Sequence, residues 1–103
     1  MDALSLFDNN ETKENFKSLL NDTIDIVRGL LNTSKIELYE IVLSELEDIK
    51  EIIVTLEIPL DEDEINQRYS FGGLAIKNLR PETELYKRLT TLYYGTLCYL
   101  QLD

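Results

Sequence analysis

The residues with most chemistry to offer are the 20 aspartates and glutamates of this 103-residue chain. Paired carboxylates do general acid–base work when burial raises the pKa of one of them. Here the pairs, such as Glu37 with Glu45 and Glu40 with Glu47, lie along charged helical faces. Nothing in the pattern buries them, so they stay ionised at neutral pH and serve poorly as general acids. A di-metal carboxylate bundle adds Glu-x-x-His pairs, and this chain has no histidine. The usual near-neutral base and the commonest metal ligand are therefore missing. Asp61, Glu62, Asp63 and Glu64 form the densest acidic run. They lack the alternating spacing of a calcium loop. They do fit the start of a helix, where the backbone dipole favours negative charge. Gly72 and Gly73 are not embedded in a P-loop pattern and follow no strand, so close packing or a bend is expected there. Cys98 is the single cysteine. With no partner and no histidine to activate it, it reads as a small packing residue. The chain is expected to be no enzyme and to need no metal or cofactor.

What remains is binding. Lys77, Arg80, Lys87 and Arg88 gather near the last helical segment. They either meet an acidic partner or balance local acids. Tyr86, Tyr93, Tyr94 and Tyr99 are concentrated in the same segment. Core rings with hydroxyls at the core edge are one role for them. Tyr94 and Tyr99 fall off the main apolar stripe and are the candidates for an interface, where tyrosine is enriched. The partner-binding set is thus Tyr94, Tyr99, Lys77, Arg80, Lys87 and Arg88. The net charge of -10 repels nucleic-acid phosphate and anionic membrane surfaces. It suits a basic protein partner.

Helices must position these residues. The hydrophobic content of 44% against 29% charged is that of a folded domain, and the length allows one. From Thr33 to Leu56, apolar residues recur at Ile36, Tyr39, Val42, Leu43, Leu46, Ile49, Ile53 and Leu56. Steps of three and four draw one stripe down a helix, and Ser34 with Glu37 predicts a capping box at its start. A preceding helix is expected from Glu11 to Leu31, capped by Asn9 or Asn10. Its stripe is Phe16, Leu19, Leu20, Thr23, Ile24, Val27, Leu30 and Leu31. Gly29 costs this helix about 1 kcal/mol of propensity without ending it. The short Asn32–Thr33 link makes the two helices antiparallel. Pro59 ends the central helix. A third helix carries Ile65, Tyr69, Leu74, Ala75 and Ile76, with a kink, turn or short strand within 69–73. The fourth opens at Pro81 and carries Leu85, Tyr86, Leu89, Leu92, Tyr93, Leu97 and Leu100 inward. Residues 1–9 are a lead-in whose Leu4, Leu6 and Phe7 are expected to cover one end of the core. The expected fold is all-α, an antiparallel four-helix bundle forming a single domain over 1–103. No signal peptide and no run approaching roughly 20 apolar residues is present. The expectation is a cytoplasmic protein with at most peripheral membrane contact.

One family resemblance narrows this. Leu74, Ala75, Ile76, Lys77 and Asn78, followed by Glu84, Leu85, Tyr86 and Lys87, resemble the immunity proteins of pediocin-like bacteriocins, the enterocin A and lactococcin A immunity group. The local likeness covers roughly residues 68–90. The first helix and the acid-rich second helix opening at Asn32, Thr33 and Ser34 are similar to that family's pattern as well. The resemblance implies an antiparallel four-helix bundle that protects a bacteriocin producer from inside. In the family, protection is stoichiometric: the protein locks a membrane sugar-transporter receptor, the mannose phosphotransferase, with its bound bacteriocin. The charge supports a different reading, an acidic inhibitor that neutralises a basic toxin or nuclease.

Overall fold

In the computed structural model, residues 12–102 are described. The lead-in 1–9 and the expected caps Asn9 and Asn10 lie outside them. The first helix, α1, spans Lys13–Thr33, with Thr12 as N-cap accepting a hydrogen bond from the Asn15 N–H at 3.1 Å. Its buried face is Phe16, Leu19, Leu20, Thr23, Ile24 and Val27, as the periodicity predicts, whereas Leu30 and Leu31, expected on the same stripe, are only half-buried. Thr23 can enter that face because its hydroxyl donates to the Leu19 carbonyl at 2.7 Å. Gly29 sits inside α1, exposed, with open space where a Cβ would stand.

The central helix, α2, runs Glu37–Ile49. Its start corrects the sequence expectation. Ile36 is the N-cap and no side chain caps the helix; Ser34 instead closes α1, its N–H donating to the Leu30 carbonyl. The chain has only three residues, 34–36, in which to reverse. The α1 end takes Ser34, so the capping box cannot form. From Lys50 to Thr55 the helix continues with wider π-type turns. The Leu56 N–H reaches the Glu51 carbonyl at 3.0 Å, and the Thr55 hydroxyl the Lys50 carbonyl at 2.9 Å. Extra residues per turn rotate everything that follows out of α-helical phase. This is why Ile53 is buried but Leu56, expected on the stripe, is 57% exposed; Ile36 at the other end of that stripe is 48% exposed, because it is the extended N-cap residue before α2 begins. Glu57 then takes a left-handed conformation (φ 52°) and Pro59 follows, which ends the rod.

The expected third helix is two. The α3 helix spans Glu62–Arg68 and α4 spans Phe71–Asn78, with Tyr69 in extended conformation between them. Asp61 and Glu64 form a complete capping box on α3, so the acidic run does the work of a helix start. Ile65, Tyr69, Phe71 and Ala75 are buried, whereas Ile76, expected inside, is 64% exposed. The last helix, α5, spans Glu84–Cys98 and ends in a 3-10 turn at Tyr99–Gln101. It begins later than expected: Thr83 is the N-cap, its hydroxyl accepting from the Tyr86 N–H, and Pro81 lies in the preceding turn.

These five helices are all-α, with no strand among the described residues. They stand where four were expected. The α1 helix packs on both α2 and α5, and α4 packs on α5 and α2. The core where they meet holds Phe16, Leu46, Ile49, Phe71, Leu89 and Leu92. No helix of the described residues is long and apolar enough to cross a membrane.

Candidate functional site

The central helix organises one face of the molecule. Glu45 and Asp48 are three residues apart and therefore share a side of α2. The two carboxylates hold the break between α3 and α4. Glu45 Oε1 accepts from the backbone N–H groups of Ser70 at 2.7 Å and Phe71 at 2.9 Å, and its Oε2 from the Ser70 hydroxyl at 2.6 Å. A carboxylate on these free N–H groups does for α4 what an N-cap side chain usually does, from another helix. Asp48 accepts from Arg68 Nε at 2.8 Å, a second Arg68 nitrogen at 3.3 Å and the Tyr69 hydroxyl at 2.7 Å. The paired guanidinium fixes the end of α3 to α2. The Tyr69 ring is itself buried and stands edge-on to Phe71 at 6.4 Å between centroids.

These contacts shift the groups. The Arg68 hydrogen bonds hold the Asp48 carboxyl below the usual carboxylate range, helped by the Tyr69 hydroxyl. Burial, followed by the bond to Asp48, pushes the Tyr69 phenol up. A carboxyl depressed in the folded state contributes stability above its unfolded pKa and loses it as pH falls through the folded one. Asp48→Asn is therefore expected to weaken the protein at neutral pH and to flatten the loss of stability below about pH 4. Urea unfolding at pH 7 and pH 3 checks it: an unchanged pH slope would show that Asp48 does not set the acid limb.

Beside this junction lies an open groove of about 600 Å³ along α2. Its lining includes Glu40, Glu45, Glu47, Asp48 and Glu51, with Arg68 as the one cation. Arg68 is already bound to Asp48, and Glu47 is paired with Arg28 of α1 at 3.0 Å. No ion pair within 4 Å involves Glu40 or Glu51 among the described residues. The groove thus carries uncompensated negative charge. Among the described residues no group of three His, Cys, Asp or Glu side chains is set to hold a metal ion.

The residues singled out from the sequence do not form one site. Tyr94 is 42% exposed on α5, as a surface role requires. Tyr99 is only 2% exposed, which corrects its reading as an interface ring. It packs on Phe16 at 5.1 Å, and Lys13 Nζ lies 5.6 Å from its ring centre. The inward line on α5 is Leu89, Leu92, Thr96 and Tyr99, so Leu97 and Leu100, expected inside, stand 36% and 41% exposed. Thr96 tolerates burial because its hydroxyl donates to the Leu92 carbonyl at 2.7 Å. The basic group is dispersed in role. Arg88 is held by Glu84 at 3.2 Å and reaches Thr23 of α1 at 3.4 Å; its side chain is 17% exposed, so it is a strut between helices. Lys87 is half-buried, whereas Lys77 and Arg80 are exposed on and just after α4.

Sequence reasoning assigned both Glu45 and Asp48 to the charged outer side of the central helix and passed over Arg68. The available signal was the spacing of Glu45 and Asp48, which flank the stripe residues Leu46 and Ile49. What they would meet was invisible until α3 and α4 were placed. No family model, curated protein or solved structure matches this chain, so the acidic groove and the α3–α4 junction must be interpreted from their own geometry.

Proposed function

We propose that this protein is an immunity-type binder, which neutralises a harmful partner by forming a stoichiometric complex without turnover. The observation that carries the reading is the open acidic groove on α2, where Glu40 and Glu51 carry no ion pair among the described residues. Such a surface steers a basic partner toward it and repels nucleic acid. A basic toxin or nuclease is the partner class that fits. The carboxylates would occupy the region that binds phosphate in such a partner.

A second reading keeps the likeness to pediocin-like bacteriocin immunity proteins. It is favoured by the exposed Tyr94 and Leu97 on α5, a surface suited to a receptor–bacteriocin complex at the inner membrane face. A four-helix-bundle ancestry, with α3 and α4 as a broken third helix, belongs to this reading. Both place the protein in the cytoplasm.

Salt separates them. For a basic partner steered by the groove, association should slow by about tenfold or more between low and roughly 0.5 M salt, because screening shortens the reach of the field. Stopped-flow mixing with the product of the neighbouring gene gives the rate. A change under about threefold would remove electrostatic steering and leave the α5 surface as the better reading. The identity of the neighbouring gene is informative too: a large toxin gene fits the first reading, and a small bacteriocin-peptide gene the second.

A further inference from the structure

A second depression, of about 120 Å³, lies where the last turn of α5 meets the segment after the central helix. Its wall includes Ile53, Ile58, Leu60, Leu97 and Leu100, with buried Tyr99 and the polar Thr96 and Gln101 also in the lining, and no charged residue lines it. Ile58, Leu97 and Leu100 are 40%, 36% and 41% exposed. Single exposed apolar residues are ordinary on a protein surface. Three that share the wall of one cavity form a patch that asks for a cover. The exposure of Leu97 and Leu100 follows from the inward line of α5, which takes Thr96 and Tyr99.

Size and charge say what fits. The cavity is well below the roughly 300–1,000 Å³ of small-molecule pockets. It has room for one large apolar side chain, the usual anchor of a protein interface. Negative charge stands beside it: Glu57 precedes the wall residue Ile58 in the chain and is exposed. The charges of Glu57 and Glu14 also act on Tyr99, whose phenol is pushed up by burial first and by these two next. Lys13, beside the Tyr99 ring, is the local countercharge. A second copy of the chain would bring the same carboxylate and another -10 of net charge, so self-association is opposed.

We propose that this cavity receives one large apolar anchor from a protein partner, with Lys or Arg residues on either side of that anchor, as a basic amphipathic helix presents them. The inference rests on the reading of the protein as a binder of a basic partner, but it places the apolar anchor away from the α2 groove, among different residues.

The test uses a synthetic, fluorescently labelled amphipathic peptide with leucines at helical spacing of three and four and lysines elsewhere. Its binding to the full chain is followed by anisotropy. Leu97→Asn combined with Leu100→Asn, both at exposed positions, should leave the circular dichroism unchanged and weaken binding by about tenfold or more. Glu40→Gln with Glu51→Gln, in the groove, should change it by less than about threefold. No binding by the parent protein would overturn the proposal. So would loss confined to the groove variant, which would leave the basic-partner reading standing with a different docking point. If Phe7→Ser in the full chain tightens peptide binding by about tenfold, the chain's own first residues occupy the cavity and the partner assignment is wrong. A dimer in sedimentation that Leu97→Asn dissociates would assign the cavity to a second copy and overturn it equally. Failure of the functional reading itself shows elsewhere, as an association rate with the native partner that salt does not change.

Discussion

Leu46→Ala is expected to destabilise the protein by about 2–5 kcal/mol. Leu46 is fully buried in the last turn of α2, in the core shared by α1, α4 and α5. Removing its isobutyl group forfeits transfer free energy and leaves a cavity that tightly packed neighbours fill only in part. The same substitution at Leu56, 57% exposed beyond the π-type turns, is expected to change stability by less than about 0.5 kcal/mol. The pair is more informative than either alone. Both residues sit on the apolar repeat that runs from Ile36 to Leu56, and a straight α-helix would bury both. Chemical denaturation of the two variants measures the difference. Equal costs would show that the central helix keeps α-helical phase past Lys50. A cost under about 0.5 kcal/mol for Leu46→Ala would remove the central stripe from the core altogether.

Gly72→Ala is the second large effect, and it comes from overpacking. A Cβ on Gly72 would lie 2.8 Å from Cγ and Cδ2 of Tyr93 and 3.2 Å from its Cβ. These atoms are near the root of the side chain and cannot swing aside. The Tyr93 ring is held edge-on to Phe71 at 5.2 Å, and its hydroxyl is bonded to Asn66. Forcing α4 and α5 apart is expected to cost about 1–3 kcal/mol, offset in part by the better helix propensity of alanine, worth up to about 1 kcal/mol. At Gly73 nothing lies within 4 Å of an added Cβ. Gly73→Ala should therefore be neutral or stabilising by a few tenths of a kcal/mol up to about 1. The glycines are adjacent in sequence and opposite in consequence. Introducing Gly72→Ala into a Tyr93→Ala background tests the mechanism: the cost should largely vanish, a coupling of about 0.5–3 kcal/mol. If it persists, the backbone of α4, and not the ring of Tyr93, requires glycine.

Periodicity was a reliable guide along most of α1. Its stripe from Phe16 to Val27, including Thr23, reads directly from the sequence because steps of three and four have only one helical interpretation there. The acidic run at Asp61–Glu64 was legible as a helix start for a local reason: a capping box joins groups three residues apart. At the double glycine the expectation was close packing or a bend; the structure decides for close packing, at Gly72 against Tyr93, with both glycines inside α4.

Other features depended on partners far along the chain. On α5 the apolar residues Leu97 and Leu100 lost the interior to Thr96 and Tyr99. Hydrophobicity alone favours the leucines. The threonine can replace one because its hydroxyl is satisfied within its own helix, and the tyrosine meets Phe16, 83 residues earlier in sequence. The interface role expected of Tyr99 failed for that reason, whereas Tyr94 stayed on the surface. Arg88 looked like a surface cation and became a strut, since α1 arrives above it with Thr23.

By itself the sequence determined the helical class, the core-facing residues from Phe16 to Val27 of α1 and from Val42 to Ile49 of α2, the acidic surface and the scarcity of residues for near-neutral catalysis. Each follows from residue type and short-range spacing. Only the tertiary structure decided that the third helix breaks at Tyr69, that Glu45 and Asp48 hold the break, and that an acidic groove and an uncharged cavity are left open. Those outcomes depend on which backbone N–H, guanidinium or ring comes within about 3–5 Å of a side chain 20 or more residues away, a distance that no local pattern encodes.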